Sequence, residues 1–233
     1  MNELIWCGAL CGVLAGAALP HACARTTARL RPHPHTGRTS RTLTGRAAGH
    51  QWWRPLLAAG GGALASAGAS AGIAWLVGDR PGGPLLVAVW LVVLYAGLLL
   101  AVVDITTRRL PTPVIGVAAL ALGITLAGHA LATGQTRVLV TALLAAGVLG
   151  GGYLLLAIVG GSAVGLGDVR LAALLGAALG ALGWPAVLCG GLLPHLLAAP
   201  ESLARLVLRR PHNLAFGPYL LAGALLAIAL VDR

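Results

Sequence analysis

Long apolar runs separated by short polar breaks organise the whole chain. Eight segments approach the roughly 20 apolar residues that a membrane-crossing helix needs. They cover residues 4–23, 56–77, 84–104, 113–133, 138–160, 169–184, 186–208 and 214–231, and the break at Trp184-Pro185 is the weakest of the boundaries. The pattern predicts an all-α, polytopic membrane bundle of about eight transmembrane helices. Residues 1–233 then form a single membrane-embedded domain, with 24–55 a basic, mobile cytoplasmic loop.

Composition sharpens this picture. With 58% hydrophobic residues, 9% charged residues and a mean hydropathy of +0.89, the chain lies outside the range of soluble domains. Its net charge of +10 is carried by arginine, with no lysine, a bias that fits a GC-rich bacterial genome. The arginines flank apolar runs, so lipid headgroups rather than nucleic acid are their expected counter-charge. Counting them on alternate sides orients the bundle. The stretches 24–55, 104–112, 161–170 and 200–213 hold thirteen of the sixteen, whereas Arg80, Arg137 and Arg233 fall on the other side. The positive-inside rule places the first set in the cytoplasm and both termini outside. Trp52-Trp53 on one side, with Trp6, Trp75 and Trp184 on the other, fit interfacial belts.

The first segment ends in HACA, like a signal-peptidase site, but its start carries Glu3 and no basic residue, so an uncleaved span is expected. Small residues at four-residue spacing (Gly8/Gly12/Gly16, Gly147/Gly151 and Gly176/Gly180) are candidates for close helix packing. Cys7, Cys11, Cys23 and Cys189 show no C-x-x-C spacing, which predicts no metal site and no disulfide framework.

Six acids remain, and the topology sorts them. Glu3, Asp79 and Asp232 fall outside and Glu201 in a cytoplasmic loop, while only Asp104 and Asp168 abut long apolar spans. Both sit at the cytoplasmic boundary, Asp104 closing the third span and Asp168 opening the sixth. Two carboxylates at one depth can share a proton, one activating a water and the other hydrogen-bonding the carbonyl under attack. Such hydrolysis requires no cofactor. Gly165 and Gly167 suit the site by permitting positive φ and close approach. The plainer reading gives each aspartate an ion pair, with Arg108 or Arg170, or makes Asp168 a helix cap. A helix start favours an ionised Asp168 as base, and a helix end a protonated Asp104, with Arg108 opposing.

These residues resemble the type IV prepilin peptidase family of GxGD membrane aspartic proteases. The resemblance rests on D-I-T-T-R-R-L-P at Asp104 to Pro111, G-L-G-D-V-R-L-A-A-L-L-G-A-A-L-G at Gly165 to Gly180, and A-F-G-P-Y-L-L-A-G at Ala215 to Gly223. It implies catalysis by Asp104 and Asp168, with Gly165, Gly167, Arg170, Pro111, Phe216, Gly217 and Pro218 as the supporting motifs. The implied reaction is cleavage after a glycine in the basic leader of prepilin or pseudopilin substrates, at the cytoplasmic face of the inner (plasma) membrane. Many members also N-methylate the new terminus through a domain with paired C-x-x-C motifs. Loop 24–55 has no cysteine pair, so neither zinc nor methylation is expected here. Arg170 stands where lysine is usual, and Thr112 where asparagine often follows the proline.

Two other readings compete. Ser162 with His195 could serve a serine protease, but Ser162 misses the G-x-S-x-G pattern by one residue and His195, after Pro194, reads as a core histidine at a kink. A transporter or assembly component could use Asp104 and Asp168 as proton or cation sites. Transport carboxylates, however, favour mid-membrane positions on broken helices.

Overall fold

A computed structural model describes residues 53–107, 112–159, 165–209 and 215–231, together with Glu3. Outside these fall the first span, almost all of loop 24–55, Arg108, Pro111, Ser162 and the C-terminal Asp232 and Arg233. Among the described residues there are seven helices and no strand: α1 (Trp53–Val77), α2 (Gly83–Thr107), α3 (Thr112–Thr133), α4 (Arg137–Val159), α5 (Leu166–Gly180), α6 (Trp184–Val207) and α7 (Gly217–Val231). Four of them, α2, α3, α4 and α6, contain stretches long and apolar enough to cross a membrane. The apolar runs therefore form helices as expected, with shifted ends. Asp104 lies inside α2 rather than at its last residue, and Asp168 inside α5 rather than before it.

Neighbouring helices run antiparallel. Gly150 of α4 faces Val169 and Ala173 of α5, whereas Gly180 of α5 faces Thr141 and Ala142 near the start of α4. In the same way Gly217 meets Asp104, and Gly97 meets Leu221, between α2 and α7. The chain reverses at Gly82, Gly134 and Gly183, each at positive φ (69°, 69° and 106°), where a side chain would be strained. All three turns lie at the end of the bundle opposite the aspartates.

Close approach between α4 and α5 is made by α5's glycines. A Cβ on Gly176 would lie 2.6 Å from the Ala145 carbonyl oxygen, and one on Gly180 2.6 Å from that of Thr141. The Gly176/Gly180 expectation thus holds, and the Gly147/Gly151 expectation does not. Those two glycines face open space, and Gly150 makes the contact instead, 2.8 Å from the Ala173 methyl. The four-residue spacing recurs in several registers of a glycine-rich helix, and spacing alone does not select the inward one. Pro194 is buried within α6, where Gly223 of α7 accommodates its ring.

The core gathers Trp90, Leu94 and Leu100 of α2, Leu171 and Leu179 of α5, and Ile228 of α7, all essentially fully buried. α3, α4 and α6 keep many leucines, valines and isoleucines exposed, such as Leu131, Leu143 and Leu188, as lipid-facing helices do. Trp75 and Trp184, at the turn end, are 63% and 43% exposed, in keeping with an interfacial belt.

Candidate active site

Asp104 is one of only four buried polar residues among those described, 7% exposed, and sits one turn from the end of α2. Its Oδ2 accepts a hydrogen bond from the Gly217 backbone N–H at 3.1 Å. That amide belongs to the first residue of α7, one of the orphan donors that every helix start must satisfy. The Phe-Gly-Pro motif therefore has a local logic. Phe216 supplies the carbonyl that accepts the N–H groups of Tyr219 and Leu220. Gly217 lets the carboxylate come close, since a Cβ there would stand 3.0 Å from Oδ2. Pro218 occupies the first turn, where its missing N–H leaves nothing unpaired.

Asp168 is the third residue of α5. Its backbone N–H donates to the Gly165 carbonyl at 3.0 Å, and the Gly165 N–H returns a bond to Asp168 Oδ2 at 3.3 Å. This is the carboxylate half of a capping box, so Gly165, not Asp168, is the cap residue. Gly165 has φ −78° and ψ 147°, and Gly167 is not among the positive-φ glycines. The expected left-handed conformation is absent at both, because an extended residue followed directly by helix needs none. The other oxygen, Asp168 Oδ1, is buried with no hydrogen-bond partner among the described residues.

α2, α5 and α7 pack on one another, which brings Asp104 and Asp168 within electrostatic reach. The ion-pair reading of Asp168 fails. Arg170 points away and donates to Thr112 Oγ1 at 2.7 Å, because two residues along a helix do not share a face. The helix-dipole distinction between the aspartates also fails. Asp104 lies in the last turn of one helix but faces the start of another, α7, and no local pattern in the sequence places that helix there.

Tyr153 is absent from the residues that the sequence singles out. It is 4% exposed on α4, and its hydroxyl has no hydrogen-bond partner among the described residues. Gly150 lies one turn before it and faces Val169, so antiparallel packing sets Tyr153 level with the start of α5. Tyr153 also feels the Asp168 charge. Its ring packs against His195 and Phe216, with centroids 5.4 and 6.1 Å apart. A lone tyrosine in G-G-G-Y-L-L-L reads as ordinary core, and only its stranded hydroxyl marks it. His195 is not the core histidine expected; it is exposed, with Nδ1 3.0 Å from the Gly191 carbonyl oxygen. Glu201 lies within α6 rather than in a loop, because Pro200 leaves the helix unbroken. There it bonds Arg205 Nε at 3.0 Å and the Tyr219 hydroxyl. Among the described residues no cluster of three His, Cys, Asp or Glu could hold a metal.

A buried carboxylate, a second one with an uncommitted oxygen and a stranded hydroxyl thus meet at one end of an apolar bundle. The family model of the type IV leader peptidases matches residues 88–231. The chain belongs to the type IV leader peptidase family. The match runs from within α2 to the end of α7 and takes in both aspartates. Membership makes the chain a leader peptidase in general terms and, with its apolar helices, a multi-pass membrane protein. No curated protein and no solved structure matches it.

Proposed function

We propose that this family member is an aspartic endopeptidase whose Asp104 and Asp168 cut the basic leader from prepilin or pseudopilin substrates. Cleavage falls after a glycine, at the cytoplasmic face of the inner membrane. The observation that carries this reading is the pairing of two carboxylates within electrostatic reach, one buried and held by a backbone amide, the other keeping an oxygen uncommitted. Family membership favours hydrolysis over a proton or cation relay.

In the proposed reaction the pair shares one proton. The ionised carboxylate takes a proton from water as the water oxygen bonds to the scissile carbonyl carbon. The protonated partner hydrogen-bonds the carbonyl oxygen as it gains charge. Collapse of the tetrahedral species breaks the C–N bond, and the leaving amine collects the proton. The Tyr153 hydroxyl offers a further donor to the developing oxyanion. Neither metal nor other cofactor takes part. Gly165 and Gly167 leave the approach to Asp168 free of side chains, while Pro111 falls in the sequence between α2 and α3.

In membranes carrying a prepilin, Asp104→Asn and Asp168→Asn should each abolish leader removal, and chelators should have no effect. Maturation by either variant at near wild-type rate would overturn the assignment. The proposed topology has eight spans, both termini outside and the aspartates inside. Reporters fused within residues 30–50 should accordingly read as cytoplasmic, and one at Gly134 as external. A reversed pattern would put the aspartates on the wrong side for leader cleavage. Mature pilin from a host with no other such enzyme should carry no added methyl group, and a methylated terminus would restore the second activity.

A further inference from the structure

α3 and α4 splay apart over α5 and leave an apolar groove of about 560 Å³. It runs along α3 from Thr112, at the aspartate end, to Leu126, a rise of roughly 21 Å for a helix. Spreading that volume, which counts only the positions open to the centre of a water-sized sphere, over that length leaves a mean cross-section of roughly 27 Å², or roughly 60 Å² once the sphere's own radius is added, against roughly 80 Å² or more for a helix with its side chains. A peptide helix can rest across this slot but not enter it, whereas one extended hydrocarbon chain is thin enough to lie within. Gly116 and Gly123 form part of its wall, and a Cβ at either would meet nothing within 4 Å.

The polar end of the groove is Arg170. Its guanidinium is exposed, and its hydrogen bond to the neutral Thr112 hydroxyl is the contact it makes; it forms no ion pair among the described residues. A narrow apolar slot capped by an uncompensated cation at a membrane boundary matches an amphiphile with one acyl chain inside and an anionic head outside. We propose that this groove is a binding site for an anionic phospholipid, with the phosphate on Arg170 and an acyl chain between α3 and α4. The bound head would then sit two residues from Asp168.

The test uses the full chain in mild detergent, with native mass spectrometry to count bound lipid and thermal unfolding to read stabilisation. Phosphatidylglycerol should be retained and should raise the unfolding midpoint more than phosphatidylcholine with the same acyl chains, and inorganic phosphate alone should do neither. Gly123→Leu and Gly116→Leu fill open space and should fold, yet retain roughly tenfold less phosphatidylglycerol. Arg170→Gln should keep the tail but lose the preference for the anionic head. Equal effects of the two lipids on the wild-type chain, full reproduction by phosphate, or undiminished retention by both glycine variants would each overturn the proposal. So would one-for-one displacement of phosphatidylglycerol by a hydrophobic helical peptide, which would give the groove to the substrate instead. Asp104→Asn should bind the lipid as the wild-type chain does, so this result does not depend on the catalytic reading.

Discussion

At the turn end of the bundle, three reversals pivot on positive-φ glycines, and the buried His129 and its neighbour Thr133 are hydrogen-bonded to the backbone. His129 Nδ1 lies 3.3 Å from the Gly82 carbonyl oxygen, and the Thr133 hydroxyl donates to the His129 carbonyl at 2.7 Å. At the aspartate end, Asp168 Oδ1 and the Tyr153 hydroxyl are buried without hydrogen-bond partners among the described residues. An unpaired buried polar group costs about 1–3 kcal/mol, and a fold built for stability alone would replace it. His129 and Thr133 at one end are committed to the chain's own backbone, while at the other end Asp168 Oδ1 and the Tyr153 hydroxyl are left without such a commitment. The Trp90 indole N–H is a third orphan, deep in α2, and nothing in the structure explains it.

The comparison breaks most decisively on the carboxylates. Asp104→Asn and Asp168→Asn should lower leader cleavage by about a hundredfold to ten-thousandfold, the range of lost acid–base catalysis. The thermal midpoint should not fall, because asparagine is nearly isosteric and removes a buried charge. A variant that lost activity and stability together would make the aspartates structural. At the turn end the opposite split is expected. Gly180→Ala would push a methyl to within 2.6 Å of the Thr141 carbonyl oxygen and 2.8 Å of the Ala142 Cα. These backbone atoms cannot step aside singly, so overpacking should cost about 1–3 kcal/mol. Denaturation in detergent micelles measures that loss, and cleavage per folded molecule should stay near the wild-type value.

Much of this division is legible in the sequence, and the reasons differ by residue. Apolar length reveals helices because a helix in lipid must satisfy its own backbone, so seven runs emerge with ends a few residues off. Asp104 and Asp168 stand out because acids are rare in so apolar a chain. What the sequence hides is pairwise geometry. The Gly217 amide reaches Asp104 across 113 positions, and no local pattern announces a cap supplied by another helix. Tyr153 is invisible for the same reason, since its meaning lies in what its hydroxyl fails to touch.

Tyr153 gives the next test. Tyr153→Phe keeps the ring against His195 and Phe216 and removes only the hydroxyl. If that group donates to the oxyanion, kcat should drop by roughly tenfold, equivalent to about 1.4 kcal/mol of transition-state binding, with KM little changed. Stability should hold or rise, because an orphaned hydroxyl leaves the interior. A less stable variant with unchanged kcat would mean that the hydroxyl serves the fold.

The smallest effect falls on a glycine that packs against nothing. Gly151 lies mid-helix in α4, one residue from Gly150, and a Cβ there would have no neighbour within 4 Å. Alanine restricts the unfolded chain and improves helix propensity, so Gly151→Ala should stabilise by about 0.5–1 kcal/mol. Gly150→Ala, pressed to 2.8 Å from the Ala173 methyl, should destabilise, because both atoms sit on rigid helix backbones. The two substitutions differ by one position and by about 100° around the helix axis. Opposite signs in micelle denaturation would fix which face of α4 meets α5. Equal signs would mean that the register between these helices differs from the one described, and with it the placement of Tyr153 beside Asp168.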